Sequence, residues 1–152
     1  MLRELGPLIG AIVLTGFAGA SITAEIGTMV VSEEIEALEA HALNPVRFLV
    51  VPRLVATTIS MTALGVISSG VTIGASIPVS VTALDIPLAT YIENMLTQVK
   101  FVDFLTGFIK GTLFGLLIGA IACTNGLKVR GGAAGVGSAT TLTVVQCVVA
   151  IV

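Results

Sequence analysis

A chain of 152 residues that is 55% hydrophobic and only 11% charged, with a net charge of −2, stands far below the roughly 25% charged residues of an average soluble domain. A mean hydropathy of +1.09 and a pI near 5.2 exclude a soluble domain and leave no basic surface of the kind that nucleic acid requires. No set of residues is arranged for catalysis, so a non-enzymatic membrane protein without a cofactor or metal site is expected.

A bilayer core of about 30 Å needs about 20 apolar residues in a helix, and four windows meet that length. The first opens at LGPLIGAIVLTGFAGASITA, Leu5 to Ala24, directly after Met1 to Glu4 and without the n-region, h-region and cleavage site of a secretory signal. Through the following IGTMVV it extends to Val31, which takes Glu25 below the membrane surface. A charged side chain near a bilayer centre costs about 2.5 to 3.5 kcal/mol on insertion scales, so its presence there points to a polar cavity, a partner or a function.

The most polar stretch comes next, AEIGTMVVSEEIEALEAHALNPVRFLVVPR. Ser32 can cap a helix with Glu33 and Glu34 in its first turn, where negative charge suits the helix N-terminus. Ile35, Leu38 and Ala42 then share one narrow apolar face, with Glu36 and Glu39 turned elsewhere. Asn44 ends the helix because the residue before Pro45 disfavours the helical region. The expectation is a short acidic amphipathic helix over Ser32 to Ala42. Capping the bundle is one use for it. Lying on anionic lipid is disfavoured, because interfacial helices carry Lys and Arg on their polar face. A groove on another subunit, filled by Ile35 and Leu38 between carboxylates, is the other use.

The second window, Leu54 to Leu84, holds no charged residue, and Pro78 and Pro87 with Gly70 and Gly74 are points at which it can be interrupted. Residues 85 to 100, with Pro87, Tyr91 and Glu93, form a segment on the far side. The third window, Phe101 to Cys123, contains Asp103 and Lys110, seven positions apart and so on one helix face, roughly 10 Å along the axis. For Asp103 exposure at the helix mouth is expected. Lys110 is open to snorkelling or to an ion-paired or cavity-lining role, Glu25 being one available partner. Gly107, Gly111, Gly115 and Gly119 follow at strict four-residue spacing, which lets a second helix approach closely; packing within the chain is expected ahead of a dimer seam.

NGLKVRGGAAGVG then reads as a glycine-rich turn, since the phosphate-loop pattern G-x-x-x-x-G-K-[ST] is not matched. The fourth window, Ala133 to Val152, completes predicted spans at 5–31, 54–84, 101–123 and 133–152. Cys123 and Cys147 are too isolated for a zinc pattern or a disulfide framework and read as small buried hydrophobes. Continuous apolar runs, in place of the alternating ten-residue pattern of barrels, make the fold class an all-α polytopic transmembrane bundle, a single domain over 1–152. Its abrupt ends read as a truncated version of a longer protein. Arg47, Arg53, Lys128 and Arg130 fall on one side against Arg3 and Lys100 on the other, which by the positive-inside rule makes the first side cytoplasmic.

The stretch AEIGTMVVSEEIEALEAHALNPVRFLVVPR resembles the signature of the MlaE/YrbE permease family, the membrane subunits of ABC-type lipid transporters that work with MCE-domain proteins. Gly6 and Pro7, Phe104 to Gly115 with Lys110, and NGLKVRGGAAGVGSATTLTVV carry the likeness across nearly the whole chain. The resemblance implies a permease that dimerises with a second copy and docks a separate ABC ATPase through a coupling helix at Ser32 to Ala42. Phospholipid would pass between the bacterial inner membrane and an MCE partner, or across the plastid inner envelope in relatives of the chloroplast TGD type. Carried over residue by residue, Glu33, Glu34, Ile35, Glu36, Ala37 and Leu38 would form the ATPase contact, and Glu25 and Lys110 polar groups near the lipid cavity, to which the residues themselves add Asp103. The chain departs from the family in beginning after the usual interfacial helix and first span, and in carrying Glu34 where Gln is common. Two readings from other classes stay open on the residues alone: a secondary transporter or channel with Glu25, Asp103 and Lys110 along an ion path, and a membrane scaffold.

Overall fold

The computed structural model describes residues 4–83, 87–98 and 101–152. Arg3, Lys100, Asp85 and the end of the second predicted span at Leu84 lie outside them. Among the described residues there is no strand; the chain runs through six helices. These are α1 (Leu5–Val31), α2 (Glu34–Ala40), α3 (Val46–Thr82), α4 (Leu88–Gln98), α5 (Phe101–Leu127) and α6 (Gly132–Ile151). Four of them, α1, α3, α5 and α6, are long and apolar enough to cross a membrane.

Several boundaries differ from the sequence expectation. Hydropathy windows stop at charges, whereas helices do not, so α3 begins at Val46 and carries Arg47 and Arg53 within its first turns. Asn125 to Leu127, expected in the glycine-rich turn, extend α5. The turn itself is made by Gly131 and Gly132, at φ 89° and 71°, a left-handed conformation that glycine adopts without a Cβ clash. Over its described residues, 54–83, the second window is not interrupted. Pro78 lies inside a continuous helix, its missing N–H and ring disturbing one turn without ending it.

Two helices contain π turns, Thr15–Gly19 in α1 and Val46–Val50 in α3. At the first, the Thr15 hydroxyl donates to the Ala11 carbonyl at 2.8 Å, holding a polar side chain inside the bundle by bonding it back to its own helix.

The helices pack around a small core of Ala11, Met61, Ile118, Cys147 and Ile151, with Leu8, Leu14, Phe114 and Ile121 against it. The α3–α5 pairing is the most extensive. Its closeness is set by glycine. A Cβ on Gly115 would stand 2.7 Å from Met61 Cβ and 2.9 Å from Thr58 Cα. One on Gly119 would meet the Thr57 hydroxyl. Gly111 faces Met61 and Thr62, and Gly107 shares a small cleft with Gly65 and Ser69. The two helices are therefore antiparallel, and the start of α5 comes level with Ile73 of α3. With 37 residues in α3, at 1.5 Å each, the rod is about 55 Å long. Its last turns, residues 73–82, pass beyond the start of α5.

Polar groups, the fully buried Thr23 and Thr143 among them, join α1, α5 and α6. The Thr23 hydroxyl lies 3.0 Å from that of Thr143 and 3.1 Å from the Ala122 carbonyl. Asn125 Nδ2 donates to Thr143 Oγ1 at 3.0 Å and to Gln146 Oε1 at 2.8 Å. In a span that excludes water, such bonds fix which helix faces which. Outward, Phe17 is 82% exposed, Val149 73% and Ile59 64%, an apolar belt suited to acyl chains.

Candidate functional site

The acidic helix α2 projects from one end of the bundle, and its ends are not those expected. Ser32 closes α1: its hydroxyl donates back to the Thr28 carbonyl at 3.0 Å and lies 3.1 Å from Glu34 Oε1. Glu33, at φ 61°, supplies the left-handed residue between the two helices, and α2 covers the seven residues Glu34–Ala40 in place of Ser32 to Ala42. At the other end Ala42 has φ 58°. Leu43 N donates to Leu38 O at 3.1 Å and Ala42 N to Glu39 O at 2.9 Å, the paired bonds of a Schellman stop. Asn44 does not end α2. Its side-chain oxygen accepts from Val46 N at 3.0 Å and Arg47 N at 3.4 Å, so Asn44 caps α3 and Pro45 leads into that helix. Ser and Asn satisfy helix ends of either kind, which is why composition misassigned them.

The faces of α2 also divide differently. Ile35 and Leu38 are half-buried, and Ile35 lines a cleft with Leu43, Val46 and Leu127, the last residue of α5. Both lie on the less exposed side of the helix. Ala42 lies past the helix end. Outward and exposed stand Glu33, Glu34, Glu36 and Ala37, with the exposed bases Arg47, Lys128 and Arg130 around the same end of the molecule.

Two separate ion pairs, each involving an ionisable group of a span, are seen among the described residues. Glu25 on α1 meets Arg53 on α3, Oε2 to Nη2, at 3.1 Å, with side-chain exposures of 60% and 24%. Arg53 Nη1 is buried without a hydrogen-bond partner. Lys110 Nζ donates to Glu4 Oε1 at 2.6 Å, just ahead of α1. The Glu25–Lys110 pairing considered from sequence therefore does not form. Glu4 and Glu25 are separated by 21 residues of mostly helical chain, about 30 Å, and Lys110 reaches the Glu4 end. Asp103 sits half-buried in the first turn of α5, where a carboxylate is favoured by the helix N-terminus. Glu4 and Arg53 escaped the sequence reading as site residues, along with Asn125, Thr143 and Gln146. The available signal was polar residues inside or beside apolar windows, which names candidates but not their partners.

The family model for Permease MlaE matches residues 1–152. The chain belongs to the MlaE permease family. A probable ABC transporter permease protein of Rickettsia prowazekii is 38% identical over 144 residues, which cover 95% of this chain and 56% of that protein. The probable ABC transporter permease protein ycf63 of Porphyra purpurea is 38% identical over 143 residues, 94% of this chain and 54% of its own length. A probable ABC transporter permease protein of Synechocystis is 34% identical over 149 residues, 98% of this chain and 57% of its own. The chain thus spans about half the length of these relatives. With four apolar helices of spanning length, this MlaE-family chain is an integral membrane protein. Both ion pairs and the acidic helix lie within the matched region.

Proposed function

We propose that this chain is the permease subunit of an ABC transporter that moves phospholipid between its own membrane and an MCE-domain partner, driven by a separate ATPase docked at α2. The observation that carries the reading is the form of α2, a short acidic helix outside the spans. Left-handed residues, Glu33 and Ala42, stand at its two ends, and a cleft lined by Ile35 and Leu127 lies between its underside and the end of α5. A helix held at both ends by sharp backbone reversals moves as a unit. Because α1 leads into it and α3 leaves from it, its displacement reaches both spans. Glu33, Glu34, Glu36 and Ala37 supply the outward contact, while Ile35 and Leu38 transmit force to the bundle.

The permease itself is a transport subunit and hydrolyses no ATP. It works with a second copy, and Glu25, Asp103 and Lys110, with Glu4 and Arg53, are the polar groups available beside the lipid path. Its α2 end faces the cytoplasm of a bacterial inner membrane, or the stroma of a plastid inner envelope. A continuous ion path through Glu25, Asp103 and Lys110 is disfavoured, because Glu25 and Lys110 are each paired with an opposite charge at opposite ends of the bundle.

The test is co-purification of the full-length protein with its ATPase, joined to lipid transfer in proteoliposomes. Glu36→Lys, which reverses an outward charge and leaves Ile35 and Leu38 unchanged, is expected to lower ATPase retention. Leu38→Asp puts a charge on the less exposed side of α2 and is expected to leave ATP hydrolysis running while lipid transfer falls. Full retention and full transfer in both variants refute the assignment.

A further inference from the structure

The segment after α3 is the largest part of the fold that neither the spans nor α2 account for. Its helix α4, Leu88–Gln98, has 11 residues, about 16 Å, far too short to cross a bilayer core of about 30 Å. Leu88, Ile92 and Met95 recur at helical spacing and share a face with Tyr91. Thr90, Glu93, Asn94 and Thr97 occupy the opposite side, a division of the kind seen in helices lying at a boundary between water and an apolar phase.

Three observations place that boundary. Tyr91 Oη and Ser76 Oγ are hydrogen-bonded at 2.6 Å, which ties α4 back along α3 to a point six residues short of Thr82, the end of the span. The α3–α5 register puts Ser76 one turn past Ile73, with which α5 begins, so α4 lies where the bundle meets the head groups. Tyrosine favours that depth, with its ring in the apolar layer and its hydroxyl bonded. Finally, one flank of the apolar face is half-buried at Tyr91 and Met95, while the other remains open, Leu88 at 49% and Ile92 at 41% exposed. On the helix to which α4 is tied, Val71, more than a turn short of Ser76 on the bundle side, is 65% exposed.

We infer that α4 is an interfacial helix of the leaflet opposite α2, its Leu88–Ile92 flank resting on acyl chains and its Glu93–Asn94 side on water. Glu93 is the one charged residue in α4, so attachment rests on apolar contact and owes nothing to anionic head groups. The fixed end of α3 would then stand on the far leaflet while its other end begins at the α2 loop. The polar side of α4 stays available to a protein from the water. The inference stands on geometry at the far leaflet and holds whether or not the chain works in an ABC transporter.

The chain contains no tryptophan, so Ile92→Trp introduces a single emitter. The purified protein is reconstituted in phosphatidylcholine vesicles whose acyl chains are brominated either near the carbonyl end or near the tail. Emission of Ile92→Trp is expected to be blue-shifted and quenched roughly twofold or more by the shallow bromines, less by the deep ones, and unchanged when phosphatidylglycerol is added. Leu88→Trp should behave alike, and Asn94→Trp should emit as in water with neither bromine quenching it. Water-like, unquenched emission at both 88 and 92 overturns the inference. Blue-shifted emission without quenching overturns it too, because the flank is then covered by protein.

Discussion

Replacing the glycines that separate α3 from α5 by alanine tests the packing at a single methyl group. At Gly115 the added Cβ lies 2.7 Å from Met61 Cβ, 2.9 Å from Thr58 Cα and 3.0 Å from the Thr57 carbonyl oxygen. Carbon atoms settle at about 3.5 to 4.0 Å, and two of these three neighbours are backbone, so no rotamer change relieves the contact. The helices must move apart by something near 1 Å, loosening Met61 and Ile118, both fully buried. Overpacking of this kind costs about 1–3 kcal/mol. Gly119 meets a side-chain hydroxyl, that of Thr57, which already donates to the Leu54 carbonyl at 3.0 Å; it can turn at the loss of that bond, so a smaller penalty is expected. Gly111 meets nothing closer than 3.7 Å and Gly70 nothing within 4 Å. There the change removes a residue that weakens a helix by about 0.8–1.0 kcal/mol relative to alanine in aqueous hosts, so the two variants should be neutral or slightly stabilised. The assay is reversible unfolding in mixed micelles of mild detergent and SDS, followed by circular dichroism. The expected order of destabilisation is Gly115→Ala, then Gly119→Ala, then Gly111→Ala with Gly70→Ala. If Gly115→Ala and Gly70→Ala unfold together, the close approach of α3 and α5 is wrong.

Three further outcomes follow from contacts elsewhere in the bundle. Arg53→Gln should destabilise by about 1–2 kcal/mol, below the 3–5 kcal/mol of a fully buried pair, because Glu25 is 60% exposed. Glu25→Gln should cost more, because it leaves the guanidinium, only 24% exposed, without its carboxylate, and a double-mutant cycle on the same unfolding assay should return a favourable coupling between them. Thr143→Val keeps the shape but removes the hydroxyl that accepts from Asn125 at 3.0 Å; a loss of about 0.6–1.7 kcal/mol is expected, with Gln146→Ala smaller because that side chain is exposed. Ala42→Gly has the opposite sign. At φ 58° the Cβ is strained by roughly 1 kcal/mol, so the variant should slow amide exchange at His41 to Leu43, where the Schellman bonds lie. Faster exchange there would count against the left-handed stop.

The fold class and the four spans were legible in the residues because the bilayer imposes one length and one polarity on any helix that crosses it. The acidic character of α2, with Glu33, Glu34 and Glu36 outside the apolar windows, was legible for the same reason. Its ends were not. Ser32 and Asn44 each offer one polar side chain that serves the helix before or the helix after, and the choice depends on backbone dihedrals at Glu33 and Ala42 that residue type does not dictate. Pro78 was a point at which the span could be interrupted, yet α3 runs through it, because its ring and missing N–H disturb one turn only.

Composition and hydropathy, acting along the chain alone, determined that this protein crosses a membrane as helices and which residues can enter it. The partners of those residues were left to tertiary structure: Glu25 with Arg53, Lys110 with Glu4, Asn125 with Thr143 and Gln146. A helix repeats every 3.6 residues and so sets which side chains share a face. Which helix that face meets, and at what height, depends on the axial register, and here the Cβ-free surfaces of Gly115 and Gly119 against Thr57, Thr58 and Met61 set it.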